Sequence, residues 1–353
     1  PGNTISVALD MRLAGYRGGG IARYARELRA ALGGASSIAV RGIRSQRDTG
    51  GADGDLRVRT PPHHRLERFA LPVEMALARY QPKVFHATDF IAPSMPRSAV
   101  VATVHDLAFI HWPNDLAPDA LEYYRQLGDA RRRTDAWITP SRWTADDLAG
   151  IYGIDRDTIH VIPHGVSLDL MRADPLPRVG RGDYVLAVGT VEPRKRYDLL
   201  LDAIQERDDL PRLVIAGGSG WNSQMLENRL RLAARAEWVA DAGDDALRRL
   251  YREAIALVVP SRAEGFGLPA LEAMAVGTPV VSSGGGALPE VTGEAALAVA
   301  EASGEAWAAA VERIASDNAL WEQLSAAGRV RARRFSWDAA ARATAEVYRN
   351  LVT

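Results

Sequence analysis

The chain has 353 residues, of which 47% are hydrophobic and 25% are charged, with a formal net charge of -1. This length favours two domains over one, and the near-zero charge argues against nucleic acid as a main partner, since binding to a phosphate backbone usually needs a strong basic excess. The sequence contains no cysteine, which excludes disulfides, zinc–thiolate sites and cysteine nucleophiles.

The sequence predicts neither a targeting segment nor a membrane-spanning segment. The N-terminus has no basic region followed by an apolar core, so the sequence predicts no signal peptide. No apolar run approaches the roughly 20 residues that span a bilayer. We therefore expect a cytoplasmic protein whose membrane contact, if it has any, is peripheral.

The chain opens with a predicted strand from Ile5 to Leu9, a glycine-rich loop and a helix from about Ile21 to Leu32. A strand, a glycine-rich loop and a helix are the usual start of a doubly wound α/β domain. Gly18, Gly19 and Gly20 do not have the spacing of the dinucleotide fingerprint. A flexible turn and a ligand-binding loop are both open interpretations of these glycines.

Two short strands are predicted next, at Ile38 to Val40 and Arg57 to Arg59, and a helical segment follows them. That segment, RTPPHHRLERFALPVEMALARY, combines basic residues with an apolar helix face. It is either a packed helix with a solvated basic flank or an acceptor-side or membrane-surface element.

The stretches Val84 to His86 and Ser98 to Val104 have the continuous apolar character of buried parallel strands. Ligands bind at the carboxyl ends of such strands. Four polar residues are expected there: His86, Asp89, His105 and Asp106. Structural roles for the histidines, and a metal held by His105 and Asp106, are the alternatives to ligand binding.

The rest of the first half alternates helices and strands. The predicted elements are a helix from Leu121 to Arg133, a strand from Ala136 to Thr139, a helix from Thr144 to Ile151 with Ser141 as N-cap, and a strand from Ile159 to Ile162. Charges and prolines from Asp169 to Pro177 then indicate a linker. We expect an N-terminal domain of residues 1–168, completed by a C-terminal helix of residues 337–353, and a C-terminal domain of residues 169–336.

The second half repeats the α/β pattern, beginning with a strand from Tyr184 to Gly189. Arg194 and Lys195 lie in the turn after this strand, where a ligand would bind. Adjacent basic residues are usually solvated charge, but arginine offers a bidentate fork and lysine a point charge to an anionic ligand. Further strands are predicted at Leu213 to Ala216 and Trp238 to Ala240.

The stretch from Val258 to Val281 holds the strongest local signal. A strand from Ala256 to Val259 leads through a glycine-bearing turn to a helix with Pro269 in its first turn, and Gly277 supplies the left-handed residue that ends it. Such a helix N-terminus binds anions, because its free N–H groups and its dipole both point at the ligand.

Two acids accompany this helix. Glu264 lies in the turn and Glu272 about one helical turn inside, so both can face the same ligand. Glu272 alone could simply complement the helix dipole. The pair is explained better by a ligand that carries phosphate and hydroxyl groups together, as a sugar nucleotide does. A second glycine loop, Gly284 to Gly286, is expected near the sugar–phosphate end.

The string EGFGLPALEAMAVGTPVV, with VGTVEPRK and TVHDLAF before it, resembles the retaining glycosyltransferases of family 4. The resemblance implies an α/β GT-B fold: two Rossmann-like doubly wound domains facing each other across a cleft. It implies a nucleotide sugar on the C-terminal domain and an acceptor on the N-terminal domain. It also implies that a last helix, Trp337 to Leu351, crosses back onto the N-terminal domain.

The resemblance also assigns site residues and implies no bound metal at the active site and no separate cofactor. The implied catalytic residues are His105, Asp106, Arg194, Lys195 and Glu264. The implied donor-binding residues are Gly19, Gly20, Arg194, Lys195, Val239, Leu247, Glu264, Gly265, Phe266, Gly267, Leu268 and Glu272. Val239 and Leu247, expected beside the nucleobase, are equally good core residues.

The expected activity is retaining transfer of a hexose, with mannose favoured, to a hydroxyl of a glycan, lipid-linked or small-molecule acceptor. GDP-mannose is favoured over UDP-sugars as donor, because the motifs are similar to those of mannosyltransferases that build bacterial surface polysaccharides. The alternatives are a GT-B nucleotide-sugar hydrolase or epimerase and a non-catalytic two-lobed sugar-binding protein. Peripheral contact with the inner membrane face is expected through the N-terminal domain.

Overall fold

The structure is a computed structural model that describes residues 4–15, 19–34, 37–46, 48, 50–62, 64, 66–172, 174–205 and 207–353. Gly18 of the predicted glycine loop lies outside these residues. The chain divides into two compact units. The first unit comprises Pro1–Phe109, Pro118–Gly165 and Ser336–Thr353, and the second comprises Ile110–Ala117 and Val166–Phe335.

All the strands in the described residues belong to two parallel sheets, one in each unit. The strands are β1 Ile5–Asp10, β2 Ile38–Ser45, β3 Leu56–Val58, β4 Val84–Ala87, β5 Ala99–Thr103, β6 Ala136–Thr139, β7 Ile159–Val161, β8 Tyr184–Val188, β9 Arg212–Ala216, β10 Ala236–Val239, β11 Leu257–Val259, β12 Val280–Ser282 and β13 Ala296–Ala298. Each predicted strand is present. The largest difference is β2, which continues to Ser45, and β13 was not predicted.

Fifteen α-helices occur in the described residues. They are α1 Gly20–Leu32, α2 Glu67–Leu77, α3 Ala108–His111, α4 Pro118–Tyr124, α5 Leu127–Ala130, α6 Arg142–Tyr152, α7 Leu168–Arg172, α8 Tyr197–Ile204, α9 Gln224–Leu232, α10 Asp244–Glu253, α11 Leu268–Ala275, α12 Leu288–Thr292, α13 Gly304–Ser316, α14 Asn318–Ala332 and α15 Trp337–Val352. None of the helices in this part of the chain is both long and apolar enough to cross a bilayer.

The sheet of the first unit has the order β3-β2-β1-β4-β5-β6-β7 and that of the second unit β10-β9-β8-β11-β12-β13. In both, the strand order reverses once, between β1 and β4 and between β8 and β11. Ligands in open α/β sheets bind outside the carboxyl ends of the strands at this reversal. The topology therefore predicts ligand sites at the loops after β1 and β4 and at the loops after β8 and β11.

Local signals explain several helix boundaries. The predicted N-cap of α6 is confirmed, because Ser141 Oγ accepts a hydrogen bond of 3.1 Å from the Thr144 backbone N–H. Gly277, after α11, has φ +77° as expected for a left-handed helix end. The last helix, α15, belongs to the first unit as predicted, where Tyr348 Oη lies 2.6 Å from His86 Nδ1.

Two helical predictions were wrong in detail. The helix expected from Leu121 to Arg133 is divided into α4 and α5, because the bond from Gln126 N to Tyr123 O has the shorter i to i+3 spacing of a 3₁₀ turn. The linker expected from Asp169 onward begins instead as α7. Buried Leu170 packs on the core of the second unit there, and its N–H donates to Ser167 Oγ at 3.4 Å.

Candidate functional site

Three loops meet at the carboxyl ends of β8, β11 and β12 in the second unit. The Arg262 backbone N–H donates to Arg194 O at 2.9 Å, which joins the loop after β11 to the loop after β8. Glu264 N donates to Gly285 O at 3.3 Å, and Ala287 N donates to Glu264 O at 2.8 Å. These backbone hydrogen bonds fix Glu264 between its two neighbouring loops at the reversal of the strand order.

The glycines after β12 allow these loops to pack closely. A side chain on Gly285 would place its Cβ 2.2 Å from Arg262 O, and one on Gly286 would place it 2.5 Å from Glu264 O. Both positions therefore require glycine because backbone lies against them. The Cβ position of Gly284, in contrast, lies in open space, and the approach of the three glycines to a sugar–phosphate remains a prediction.

The structure brings the candidate site residues Arg194, Lys195 and Glu264 together. Lys195 Nζ lies 2.7 Å from Glu264 Oε1, and Arg194 Nη1 lies 3.6 Å from Glu264 Oε2. Ser261 Oγ donates to Glu264 Oε1 at 2.5 Å, and Arg194 Nη2 contacts Glu192 Oε1 at 2.8 Å. Lys195 and Glu264 are both buried. A buried ammonium and carboxylate in contact form a strongly coupled charge pair.

The charge state of Glu264 follows from its surroundings. Burial raises the pKa of its carboxyl group, but the charges of Lys195 and Arg194 outweigh burial and lower the pKa to about 2. Glu264 is therefore ionised at neutral pH and can only accept hydrogen bonds. A carboxylate with so low a pKa is also a weak general base.

Tyr197, the first residue of α8, contributes a polar atom that sequence reasoning missed. Its side chain is buried, and its Oη has no hydrogen-bond partner among the described residues. Burial, followed by the charges of Glu264 and Glu192, raises the pKa of the phenol well above its ordinary value, so the hydroxyl keeps its proton. A tyrosine at a helix start normally signals only packing, so nothing in the sequence pointed to this hydroxyl.

Gly189 lies against both Tyr197 and Lys195. Its φ is +143°, and a Cβ at this position would lie 3.1 Å from Tyr197 Oη and 3.3 Å from Lys195 Nζ. The absence of a side chain at Gly189 therefore lets these two groups lie close to the backbone after β8 and near each other.

Helix α11 begins beside Glu264, as predicted. Gly267 precedes it with φ +103°, Pro269 occupies its first turn, and no described side chain caps its N-terminus. Such an N-terminus attracts anions. Glu272 lies one turn further on and is buried. Phe266 packs its ring 5.8 Å from that of Phe335 in the core, so any ligand contact at Phe266 would use its backbone.

The remaining donor-binding predictions lie on other elements of the second unit. Val239 ends β10, and Leu247 lies in α10; both are partly buried and pack against the hydrophobic core. Their packing fits the core interpretation, and contact with a nucleobase remains a prediction. Gly265 and Leu268 flank the turn into α11.

In the first unit, His105 lies just after β5 and is held in one tautomer. Its Nε2 lies 2.9 Å from Thr88 O, and since a carbonyl can only accept, Nε2 carries the proton. Burial lowers the pKa of His105 despite the opposing charge of Asp89. The neutral ring then keeps a lone pair on Nδ1, which can accept a hydrogen bond from a hydroxyl.

His86 and Asp106 both lie near His105, and each has a hydrogen-bond partner of its own. His86 is fully buried, with Nδ1 2.6 Å from Tyr348 Oη and Nε2 2.7 Å from Thr103 Oγ1. It therefore connects the sheet to α15. Asp106 Oδ1 accepts from Ala108 N at 3.0 Å, at the start of α3. The Thr88 carbonyl holds the His105 ring, and a catalytic role of Asp106 remains a prediction.

A small cavity lies at the strand reversal of the first unit, between the loops after β1 and β4. Arg12 Nη2 contacts Asp10 Oδ2 at 2.6 Å, and Arg12 Nη1 contacts Glu67 Oε2 at 3.2 Å. Asp89 also lines the cavity. Gly19 and Gly20 belong to this unit as well. Gly19, with φ +134°, precedes α1, and Gly20 is its first residue.

Two family models together match most of the chain. The model described as "Glycosyltransferase Family 4" matches residues 18–170, and the model described as "Glycosyl transferases group 1" matches residues 174–331. The first match covers most of the first unit, and the second match lies within the second unit.

Curated relatives agree with these models. O-antigen chain mannosyltransferase B of Escherichia coli is 30% identical over 293 residues, which cover 78% of this chain and 76% of the relative. D-inositol 3-phosphate glycosyltransferase of Xylanimonas cellulosilytica is 34% identical over 237 residues, which cover 61% of this chain and 57% of the relative.

Solved structures share the fold over nearly the full length of the chain. Sucrose-phosphate synthase from Thermosynechococcus elongatus has a TM-score of 0.78 at 24% identity, covering 98% of this chain and 99% of that one. The Anabaena protein HepE, solved with UDP and glucose, has a TM-score of 0.76 at 16% identity, covering 98% of this chain and 100% of that one.

Proposed function

The chain belongs to the family 4 glycosyltransferases of the GT-B fold, and from this premise we propose that it transfers a hexose from a nucleoside diphosphate sugar with retention of configuration and without a metal ion. The observation that supports the proposal most strongly is the contact of Lys195 and Arg194 with Glu264 beside the start of α11. This arrangement combines cations for a diphosphate with a carboxylate for hydroxyl groups, and a sugar nucleotide carries both.

The second unit holds the donor in this proposal. Lys195 and Arg194 neutralise the diphosphate, whose negative charge grows as the bond to the sugar breaks. Tyr197 Oη, near Lys195 Nζ, adds a hydrogen bond to a phosphate oxygen. The other proposed donor contacts are Val239, Leu247, Gly265, Phe266, Gly267, Leu268 and Glu272, with Glu272 at the ribose.

Glu264 accepts hydrogen bonds from hydroxyls of the transferred sugar in this proposal. Its ionised state suits that role and gives it little capacity as an acid or base at neutral pH. In the reaction, the bond from the sugar C1 to the phosphate oxygen breaks and a bond from the acceptor oxygen to C1 forms. The acceptor hydroxyl gives its proton to the departing phosphate on the same face, so no protein base is needed.

The first unit carries the acceptor side of the proposal. We assign the acceptor hydroxyl groups to the cavity lined by Asp10, Arg12 and Asp89, because buried charged groups offer strong hydrogen bonds to a polyol. His105 accepts a hydrogen bond through Nδ1 from the transferred sugar, and Gly19 and Gly20 contribute backbone beside it.

Mannose from GDP-mannose is the proposed donor group, and a glycan or lipid-linked glycan is the proposed acceptor. The support is the resemblance to polysaccharide mannosyltransferases, together with the name of the E. coli relative, an O-antigen chain mannosyltransferase. A panel of nucleotide sugars, compared by thermal shift, tests the donor, and the anomeric configuration of the product tests retention. Unchanged turnover in a strong chelator tests metal independence.

The decisive experiment measures release of nucleoside diphosphate from the preferred donor with and without acceptor. Release that rises with acceptor supports transfer, and release that ignores acceptor indicates hydrolysis. Tight donor binding without turnover indicates a sugar-binding protein. Lys195→Ala should reduce transfer by orders of magnitude. Lys83→Ala is the matched control, because Lys83 is the only other lysine in the sequence and is exposed.

A further inference from the structure

One side of helix α2 exposes a row of large apolar side chains. Leu66, immediately before the helix, and Phe69, Val73 and Leu77 within it are 52%, 59%, 57% and 79% exposed. Spacings of three and four residues place them on the same side of the helix. These four residues are called the α2 apolar row below.

The two acids of α2 are turned toward the protein, away from the α2 apolar row. Glu67 is buried, contacts Arg12 Nη1 at 3.2 Å and accepts from Tyr123 Oη at 2.6 Å. Glu74 Oε1 accepts from Thr60 N at 2.9 Å. Leu71 and Met75 fill the core side of α2, as apolar residues do in an ordinary surface helix. The α2 apolar row is a second apolar surface that the core does not cover, and an exposed apolar surface of this kind marks an interaction site.

The flanks of the α2 apolar row are basic. Arg59 and Arg79 are exposed, and the Arg68 side chain is 33% exposed, 3.9 Å from Asp129. Burial and then the charge of Arg68 lower the pKa of Arg133, which indicates two guanidinium groups close together. With the two acids of α2 turned inward, the outward surface presents positive charge around an apolar centre.

We propose that the α2 apolar row and its arginine flank dock on an anionic lipid bilayer, with α2 lying in the plane of the membrane interface. Helices that rest on membranes combine these two features: apolar side chains enter the boundary of the acyl chains, and arginines meet the lipid headgroups. This surface would hold the protein where lipid-linked substrates are found. The inference rests on the first unit alone and does not depend on the proposed donor site.

The arginine flank favours a bilayer over a second copy of this chain as the binding partner of the α2 apolar row. In a twofold interface the same patch meets itself, so the arginines of one copy would face those of the other. Like charges placed opposite each other across an interface disfavour association. An anionic lipid surface attracts the same arginines, so their charge favours binding to it.

Cosedimentation of the whole chain with vesicles tests the proposal. The vesicles are equal parts phosphatidylglycerol and phosphatidylcholine, with pure phosphatidylcholine as the neutral comparison. The test variant is Phe69→Ser with Leu77→Ser. The matched control is Met225→Ser with Leu232→Ser, because these side chains are 78% and 86% exposed on α9 of the second unit.

The wild type should bind the anionic vesicles more tightly than the neutral ones, and more weakly at high salt. The test variant should lose binding by about tenfold or more, since two large side chains no longer leave water, while the control binds like the wild type. Both variants should melt near the wild-type temperature because the changed side chains are exposed.

Equal binding of the wild type and the test variant would overturn the proposal. So would equal binding to neutral and anionic vesicles, or absence of binding by the wild type. If the wild type instead forms a concentration-dependent dimer that the test variant does not form, without binding vesicles, the row is a self-association surface.

Discussion

Replacing Glu264 with glutamine removes the carboxylate charge at the centre of the candidate donor site and keeps its shape. Lys195 Nζ, 2.7 Å from Oε1, and Arg194 then lose their shared counter-charge. The carboxyl pKa falls from the ordinary 4.5 to about 2 in the folded protein, and each pKa unit corresponds to about 1.4 kcal/mol. The charge of Glu264 therefore contributes about 3 kcal/mol to stability at neutral pH.

The pH dependence of this stability has a definite sign. A folded-state pKa below the unfolded one stabilises the protein above the unfolded value, and this gain disappears as pH falls through the folded value. The difference between wild type and Glu264→Gln should thus be about 3 kcal/mol at pH 7 and shrink as the pH falls from about 4.5 towards 2. Urea unfolding measures it, in the transition that responds to added nucleoside diphosphate.

Binding of nucleoside diphosphate is a second measurement on the Glu264→Gln variant. Free Lys195 and Arg194 should bind nucleoside diphosphate at least as tightly in Glu264→Gln as in the wild type, because Glu264 no longer competes for them. Sugar transfer should nevertheless fall by at least about 100-fold, since a neutral amide accepts hydrogen bonds from hydroxyls more weakly. Unchanged stability together with unchanged transfer would refute the reasoning.

Two further substitutions separate binding from turnover. Tyr197→Phe should raise the melting temperature of the free protein, because it removes a buried hydroxyl without a described partner, and should weaken nucleoside diphosphate binding by about tenfold; calorimetry measures both, and unchanged binding would remove Tyr197 from the site. His105→Ala should lower kcat far more than donor affinity, as steady-state kinetics and direct donor binding can show, and equal losses would contradict its place beside the transferred sugar.

Much of the fold and the centre of the site could be predicted from the sequence. The continuous apolar strands and the glycine-bearing turns indicated two doubly wound sheets, and both sheets are present. Lys195 and Glu264 are 69 residues apart in the chain. They meet because each follows one of two neighbouring strands, β8 and β11, and the carboxyl ends of parallel strands share one edge of the sheet.

The remaining details depend on distant partners that local patterns do not encode. His86 resembled a ligand-binding residue at a strand end, but its partner Tyr348 lies 262 residues away. The sequence did not show why Gly286 must be glycine, which is that the backbone of Glu264 lies where its side chain would be. The α2 apolar row was visible only as part of an apolar pattern, because periodicity shows which positions of a helix are apolar but not which of them face the solvent.

The most direct test of the donor site is a crystal structure of this chain soaked with GDP or UDP. The proposal predicts a diphosphate within hydrogen-bonding distance of Lys195 Nζ and Tyr197 Oη, at the start of α11, with Glu272 at the ribose. A nucleotide bound at any other place, with the Lys195–Glu264 pair unchanged and unliganded, would contradict it.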